Sequence, residues 1–585
     1  MTTATKAAAP GVLLERLRRA GQLADIDAHF AALLLDLAAA PSETLALSAA
    51  LASRASGQGH VCLDLARLAG EAQFEGEWRA PELAAWRRAL LSSGAAGEAD
   101  AFRPLILDGD RLYLQRYWRY ETAFASALIR RAAHPVERIE ESRLEAGLAR
   151  LFGGGDADDL QRAAAEMAVR QRLAVISGGP GTGKTTTVAR VLALAVETAA
   201  HAGLAIGLAA PTGKAAARLQ ESIDGAREKL GLSPALAEAL PHEAATLHRL
   251  LGVRPDRARP RFDASNPLPL DILVVDEASM IDLALAAKLV AALRPEVRLI
   301  LLGDKDQLAS VEAGAVLASL AGALPRKNVV LLEKSWRFPA ASGIGRLASC
   351  VRDGDASGAE SVLDAGSAGD IAWHRSPDLR SLVDETMTGY APLFEAAEAA
   401  SDVAGCFAAL ARYRVLCAHR RGPLGALAIN RAIVARLEAR GAVVRGRRFY
   451  PGQPLMVTTN DYALRLFNGD VGVVVADPSM ADGLAVAFPE EDGDVRRLAT
   501  ARIPACETVY AMTVHKSQGS EFDDVLLVLP PEPSPVLSRE LVYTGVTRAR
   551  RRVTVAATPD VLRAALAARV ERDSGLAERL GAPPA

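Results

Sequence analysis

The run Gly178-Gly179-Pro180-Gly181-Thr182-Gly183-Lys184-Thr185 fits the pattern G-x-x-x-x-G-K-[ST], and Thr186 extends it. An apolar stretch (173–176) precedes it and a helical pattern follows, the setting in which this pattern wraps phosphates. Glycines there let backbone N–H groups turn inward. Lys184 can reach the β and γ phosphates, and Thr185 offers a hydroxyl to Mg²⁺. The chemistry also needs carboxylates on a neighbouring strand. Ile272-Leu-Val-Val-Asp276-Glu277 supplies two: Asp276 to hold Mg²⁺ through water, and Glu277 to act as general base on the attacking water. A third apolar run ends in Gly303-Asp-Lys-Asp-Gln307 and places Gln307 to sense the γ phosphate. Taken together, these residues predict hydrolysis of ATP with Mg²⁺.

The elements that must hold them read as α/β. After Gly153-Gly-Gly155 and its acidic neighbours, which look like a linker, short β-branched runs alternate with longer helical stretches. The runs are 173–176, 206–209, 272–275 and 297–302. A second α/β region from about 351 holds further runs at 415–418, 525–529 and 552–556. Between 441 and 508 the texture changes to short strands at 454–459, 471–476, 484–488 and 496–501, with turn residues such as Asn468-Gly469. This predicts a small β-barrel inserted in the second region. Residues 1–140 carry Leu and Ala at helical spacing in 13–23, 31–40 and 81–93, with a β-like piece at 111–115. They predict a mainly helical domain with no catalytic constellation. The cluster Tyr113, Arg116, Tyr117, Trp118, Arg119, Tyr120 reads as a helix anchoring its aromatics in a core. The domains expected are therefore 1–140, 155–350 and 351–585.

Composition narrows the partners. The chain has 585 residues, 50% hydrophobic and 24% charged, enough for several full cores. Lys plus Arg number 68 against 70 Asp plus Glu, a net charge of −2. That balance argues against coating nucleic acid by bulk charge and confines any nucleic-acid site to a local basic groove. Cys62, Cys350, Cys406, Cys417 and Cys506 make no C-x-x-C pair, so neither a disulfide framework nor a zinc or iron–sulfur site is expected. Residues 1–21 lack a signal-peptide pattern, and the apolar stretch at 30–40 is broken by Asp36 and too short to span a bilayer. The expectation is a cytoplasmic protein with no membrane role.

In order, the motifs resemble superfamily 1 helicases over about 155 to 557. The series is Gln161, the phosphate loop, Ala210-Pro-Thr-Gly-Lys-Ala-Ala-Ala-Arg218, Thr246-Leu-His248, Asp276-Glu277, Gly303–Gln307 and Trp336-Arg337-Phe338. It ends with Thr513-Val-His-Lys-Ser-Gln-Gly-Ser-Glu-Phe522 and Val542-Tyr-Thr-Gly-Val-Thr-Arg-Ala-Arg550. Within that superfamily the wording is similar to the RecD family, the alpha subunits of RecBCD (exodeoxyribonuclease V). Residues 175–187, 335–338 with 342–348, 57–63 and 113–121 carry this likeness. Trp336 stands where a tyrosine would be equally expected.

The resemblance implies two RecA-like P-loop lobes sharing one ATP site. Gln161 would read adenine and Glu521 would touch the ribose. Arg337 and Arg548 would reach the γ phosphate from opposite sides. Thr212, Thr246, His248, Asn430, Thr513 and His515 would line a single-stranded DNA groove. Arg465 and Asn468, near the turn of the inserted barrel, are candidate strand contacts. The resemblance further implies 5′-to-3′ movement on DNA, action at double-stranded DNA ends in recombinational repair, and a heterotrimer with RecB-like and RecC-like subunits docked through residues 1–140. No clustered Asp/Glu/Lys nuclease constellation is apparent outside the ATP site, so exonuclease chemistry is expected in a partner. The alternatives are a stand-alone RecD-like helicase and an ATP-dependent nucleic-acid-binding switch. Glu277, Gln307 and Arg548 favour turnover over a switch.

Overall fold

The computed structural model describes residues 11–581 apart from 154–158, 200–202, 255, 258, 340, 367–368, 399–401, 462 and 491–493. Most of the expected linker, 154–155 with its acidic neighbours to 158, lies outside the described residues.

The apolar runs of the first α/β region form a six-stranded parallel sheet. Its order is Val329–Leu332, Leu173–Gly178, Arg298–Gly303, Ile272–Val275, Ile206–Ala210, Ala244–Thr246. Strands covered on both faces need continuous apolar sequence, and Leu173–Gly178 and Ile272–Val275 are buried throughout. Alternate residues serve opposite layers. Ala174, Ile176 and Val274 pack with Val188, Leu192 and Leu219, while Val175, Leu273 and Val275 pack with Leu289, Val316 and Leu320. Because the strands are parallel, their C-terminal ends share one edge. The phosphate loop, Asp276-Glu277 and Asp304–Gln307 therefore emerge side by side.

The second lobe is a five-stranded parallel sheet ordered Ile371–His374, Ala549–Ala556, Phe522–Val528, Tyr413–Cys417, Ala511–Thr513. The helix Gly343–Asp353 sets Ile344, Leu347 and Val351 in its core, so this lobe starts before the expected 351. The inserted region pairs antiparallel in the order Val495–Ala499, Leu484–Pro489, Val471–Ala476, Pro454–Val457, Cys506–Thr508. Among the described residues no ladder joins its two outer strands, so in its pairing the expected barrel is an open sheet. Val473 and Val475 face the lobe, whereas Val474, Val486 and Phe488 close a small core of their own.

The N-terminal region is mainly helical, as expected, with a small sheet added. The helices Gly11–Arg19, Asp25–Leu37 and Glu43–Gly57 are joined by a four-stranded sheet ordered Cys62–Asp64, Arg111–Leu114, Leu105–Asp108, Ala96–Glu98. Arg111–Leu114 falls on the β-like piece expected at 111–115, whereas its partners of three or four residues are too short to announce an alternating pattern. The boundary also moves. The helix Gln115–Ala133 buries Phe124 and Leu128 in the first lobe's core. Its Arg131 donates to the carbonyls of Leu293, Arg294, Pro295 and Val297 at 2.9–3.3 Å. The aromatic cluster does anchor in a core, with Tyr117 and Trp118 buried, but that core is the first lobe's.

The C-terminal segment returns to this junction. Glu121 is fully buried and accepts from Tyr113 Oη (3.0 Å), Arg579 Nε (3.0 Å), Gly575 N (3.1 Å) and Ser574 Oγ. Breaking a buried ion pair from one side typically costs about 3–5 kcal/mol. Glu121→Ala is therefore expected to lower the denaturant midpoint and to raise amide exchange around 573–580 well above that of the second lobe. Unchanged exchange there would show that Glu121 does not hold the segment. No helix among the described residues is long and apolar enough to cross a membrane, and all five cysteines are free.

Candidate nucleotide site between the lobes

The phosphate loop leaves Leu173–Gly178 and enters the helix Lys184–Glu197. Gly181 has φ 75°, and a Cβ there would fall 2.3 Å from Cβ of Arg337, so both backbone and space demand glycine. The Lys184 ammonium is held by the carbonyls of Gly178 and Gly179, the latter at 3.0 Å, and Thr182 Oγ1 donates to Gly179 O at 2.9 Å. Thr185 is half-buried and Thr186 exposed at the start of the helix.

Asp276 ends its strand with Oδ1 accepting Glu277 N at 2.8 Å. Burial, and then the Glu277 charge, push its carboxyl above the usual range, while Lys184 and Arg218 pull it back. Glu277 adopts φ 50° and ψ 40°, a left-handed conformation that is costly for a residue with a side chain and characteristic of functional sites. Asp304 is also pushed up by burial. Its Oδ1 accepts from Asp306 N at 3.1 Å, and its Oδ2 accepts from Gln307 Nε2 at 3.0 Å.

The two lobes meet over these groups. Arg548, almost wholly buried, donates through Nη2 to Gln307 Oε1, through Nη1 to Ser520 O (3.2 Å) and through Nε to Thr544 O (3.3 Å). Leu308 N donates to Thr544 Oγ1 at 2.9 Å, and Gln518 Nε2 donates to Leu308 O at 3.0 Å. Arg337 Nη2 donates to Glu521 Oε1 at 2.7 Å, while Arg337 Nη1 is buried with no protein acceptor. That orphaned donor, beside the phosphate loop, suits an anionic oxygen.

Glu521, expected at the ribose, instead has both oxygens engaged by arginines, the second by Arg550 Nε at 3.1 Å. Burial opposes its charge, but Arg337, Arg218 and Arg550 outweigh it and hold the carboxyl at about 2. Gln161 is buried. Its Nε2 donates to Thr182 O at 3.1 Å and its Oε1 accepts from Arg190 at 3.3 Å, so it braces the loop beside Trp336.

The expected strand contacts divide. Thr212, Thr246 and Thr513 each cap the helical turn that follows them, accepting from Ala215 N (3.2 Å), Arg249 N (3.2 Å) and Lys516 N (3.4 Å). A Cβ on Gly519 of the second lobe would lie 3.6 Å from Thr212 Oγ1 of the first, so two of the expected segments face each other across the cleft. His248 is exposed, and His515 is half-buried with its pKa lowered by burial and by Arg572. Asn430 is a correction. It is buried, and its amide both donates to and accepts from the Ala511 backbone at 2.8 Å, so it fixes the strand Ala511–Thr513 and presents nothing to a ligand. Arg465 (φ 49°) and Asn468 are exposed on the inserted sheet's turn. Sequence reasoning misses Asp304, Tyr543 and Arg218 as site residues, although all three lie inside the segments it singles out.

Comparison with known proteins agrees with this geometry. Residues 19–113 match the model of the RecBCD enzyme subunit RecD N-terminal domain, 161–313 an AAA domain, and 508–556 a UvrD-like helicase C-terminal domain. The chain is 45% identical to the RecBCD enzyme subunit RecD of Mycolicibacterium smegmatis, covering 95% of this chain and 97% of that protein. It is 34% identical to the Haemophilus influenzae protein of the same name, over 97% and 99% of the two chains. The ATP-dependent RecD2 DNA helicase of Deinococcus radiodurans is 36% identical, over 70% of this chain and 50% of that one. With a phosphate loop, paired acids and cross-lobe arginines in one cleft, and a likeness that runs nearly end to end, the chain belongs to the RecBCD enzyme subunit RecD family.

Proposed function

We propose that this chain is an ATP-dependent DNA helicase, the motor subunit of a RecBCD-type helicase–nuclease that processes double-strand breaks for recombinational repair. It travels 5′ to 3′ on single-stranded DNA in the cytoplasm, alongside RecB-like and RecC-like partners, one of which carries the exonuclease site. The observation that carries the reading is the meeting of Gln307 and Arg548, one from each lobe, above the phosphate loop of a RecD-family chain.

Lys184 leaves its loop carbonyls to neutralise the phosphates. Glu277 aligns and deprotonates the attacking water. Gln307 and Arg548, together with Arg337 through its free Nη1, stabilise the charge that builds on the γ phosphate. Thr185 and Asp276 suit Mg²⁺: a hydroxyl in the first turn of the helix after the phosphate loop, and a buried carboxylate that Glu277 crowds with like charge and that feels the Lys184 ammonium. When bound, the ion supplies charge neutralisation at the phosphate oxygens. The strand lies along the groove between Thr212, Thr246 and His248 on one side and Thr513 and His515 on the other. The inserted sheet adds Arg465 and Asn468 to that path.

The stand-alone reading finds less support, since the likeness to the RecD subunits runs over 95% and 97% of this chain and that to the RecD2 helicase over 70% of it. Co-expression with the RecB-like and RecC-like subunits tests the assignment. A stable ternary complex is expected, in which this chain displaces streptavidin from the 3′ end of a single strand and not from the 5′ end. A chain that unwinds alone and never enters such a complex would refute the subunit role.

A further inference from the structure

One helix of the second lobe, Arg539–Thr547, touches the turn 304–308 of the first lobe at three points. Arg548, its C-cap, holds Gln307 Oε1, and Thr544 Oγ1 accepts Leu308 N. The third contact has no part in the mechanism above. Tyr543, buried, donates its hydroxyl to Asp304 Oδ2 at 3.2 Å, the same oxygen that takes Gln307 Nε2 at 3.0 Å. The hydroxyl also lies against the phosphate loop, since a Cβ on Gly179 would sit 2.9 Å from it.

An ionised carboxylate only accepts, so Asp304 binds the NH₂ end of the Gln307 amide and turns the carbonyl end toward Arg548. The result is a continuous chain, Tyr543–Asp304–Gln307–Arg548, that leaves the second lobe, crosses the first and returns. We propose that Tyr543 is a positioning residue for hydrolysis: its hydroxyl fixes Asp304, and through Asp304 the orientation of Gln307, only when the lobes are closed. Closure is thereby read at two points of the γ-phosphate sensor instead of one. The proposal rests on the hydrolytic reading given above.

Tyr543→Phe removes one hydroxyl and keeps the ring, while Thr544 and Arg548 still dock the lobes. A hydrogen bond to a charged group is strong enough that its loss is expected to lower the DNA-stimulated kcat of the full chain about tenfold. The KM for ATP and the Kd of a fluorescent ATP analogue should stay within about twofold, because nothing that grips the nucleotide is removed. If Tyr543 acts through Gln307, the substitution should have under about a twofold effect in a Gln307→Ala background, where single-turnover rates keep the slow double variant measurable. The proposal is overturned by an unchanged kcat, by a raised KM at constant kcat, or by a full tenfold loss that persists without Gln307. An unaltered chain that hydrolyses no ATP on single-stranded DNA would instead refute the functional reading beneath it.

Discussion

Replacing Lys184 by alanine is expected to abolish ATP hydrolysis, and replacing Glu277 by glutamine to lower kcat by roughly 10²–10⁴-fold, the range that a positioned general base supplies. The two losses should differ in kind. Lys184 is the phosphate loop's own cation, parked on the carbonyls of Gly178 and Gly179, and without it the phosphates meet uncompensated charge. Nucleotide affinity should fall with the rate. Glu277→Gln keeps shape and hydrogen bonding and loses only the base, so the variant should still bind ATP and hold single-stranded DNA tightly. Equilibrium binding of a fluorescent ATP analogue, measured beside steady-state hydrolysis, separates the two. Near-normal turnover by Glu277→Gln would remove it from the role of base. Its left-handed backbone would then need another explanation.

Arg548→Ala is expected to cost about 10³–10⁵-fold in hydrolysis, the usual weight of an arginine that stabilises a phosphoryl-transfer transition state, with little change in nucleotide binding. The arginine is buried and spends three of its five N–H donors on Gln307, Ser520 and Thr544. Those bonds leave one N–H on each Nη, which can turn to the γ phosphate while Gln307 stays bound. Because the contact to Gln307 spans the lobes, hydrolysis is expected to stay slow until a bound strand holds them in register. Loss of affinity at unchanged kcat would make Arg548 a binding contact instead.

Where an element is a long apolar run with polar ends, it could be read directly. Ile272–Val275 and Val471–Ala476 fall where expected, because a strand buried on both faces and a strand of an inserted sheet each leave their own pattern. Three-residue strands such as Ala244–Thr246 and Ala511–Thr513 leave none. The phosphate loop and its acids were legible because their chemistry constrains residue type at fixed spacing. The cross-lobe contacts were not. Tyr543 and Asp304 are 239 positions apart, and no local rule links a phenol to a carboxylate across that distance. Asn430 shows the converse. Its motif-like placement suggested a strand contact, yet its amide saturates the Ala511 backbone, and only the fold reveals where its hydrogen bonds go. Likewise nothing in the N-terminal sequence marked the helix Gln115–Ala133 as part of the motor, since an apolar face does not say which core it enters.

The central claim is that one ATP site is completed by both lobes and driven by a DNA strand. Its most direct measurement is steady-state ATP hydrolysis by the unaltered chain, titrated with single-stranded oligonucleotide. A low basal rate that rises at least about tenfold to saturation is expected, with the rise abolished in Arg548→Ala. A high rate without nucleic acid, unchanged by the strand, would contradict it.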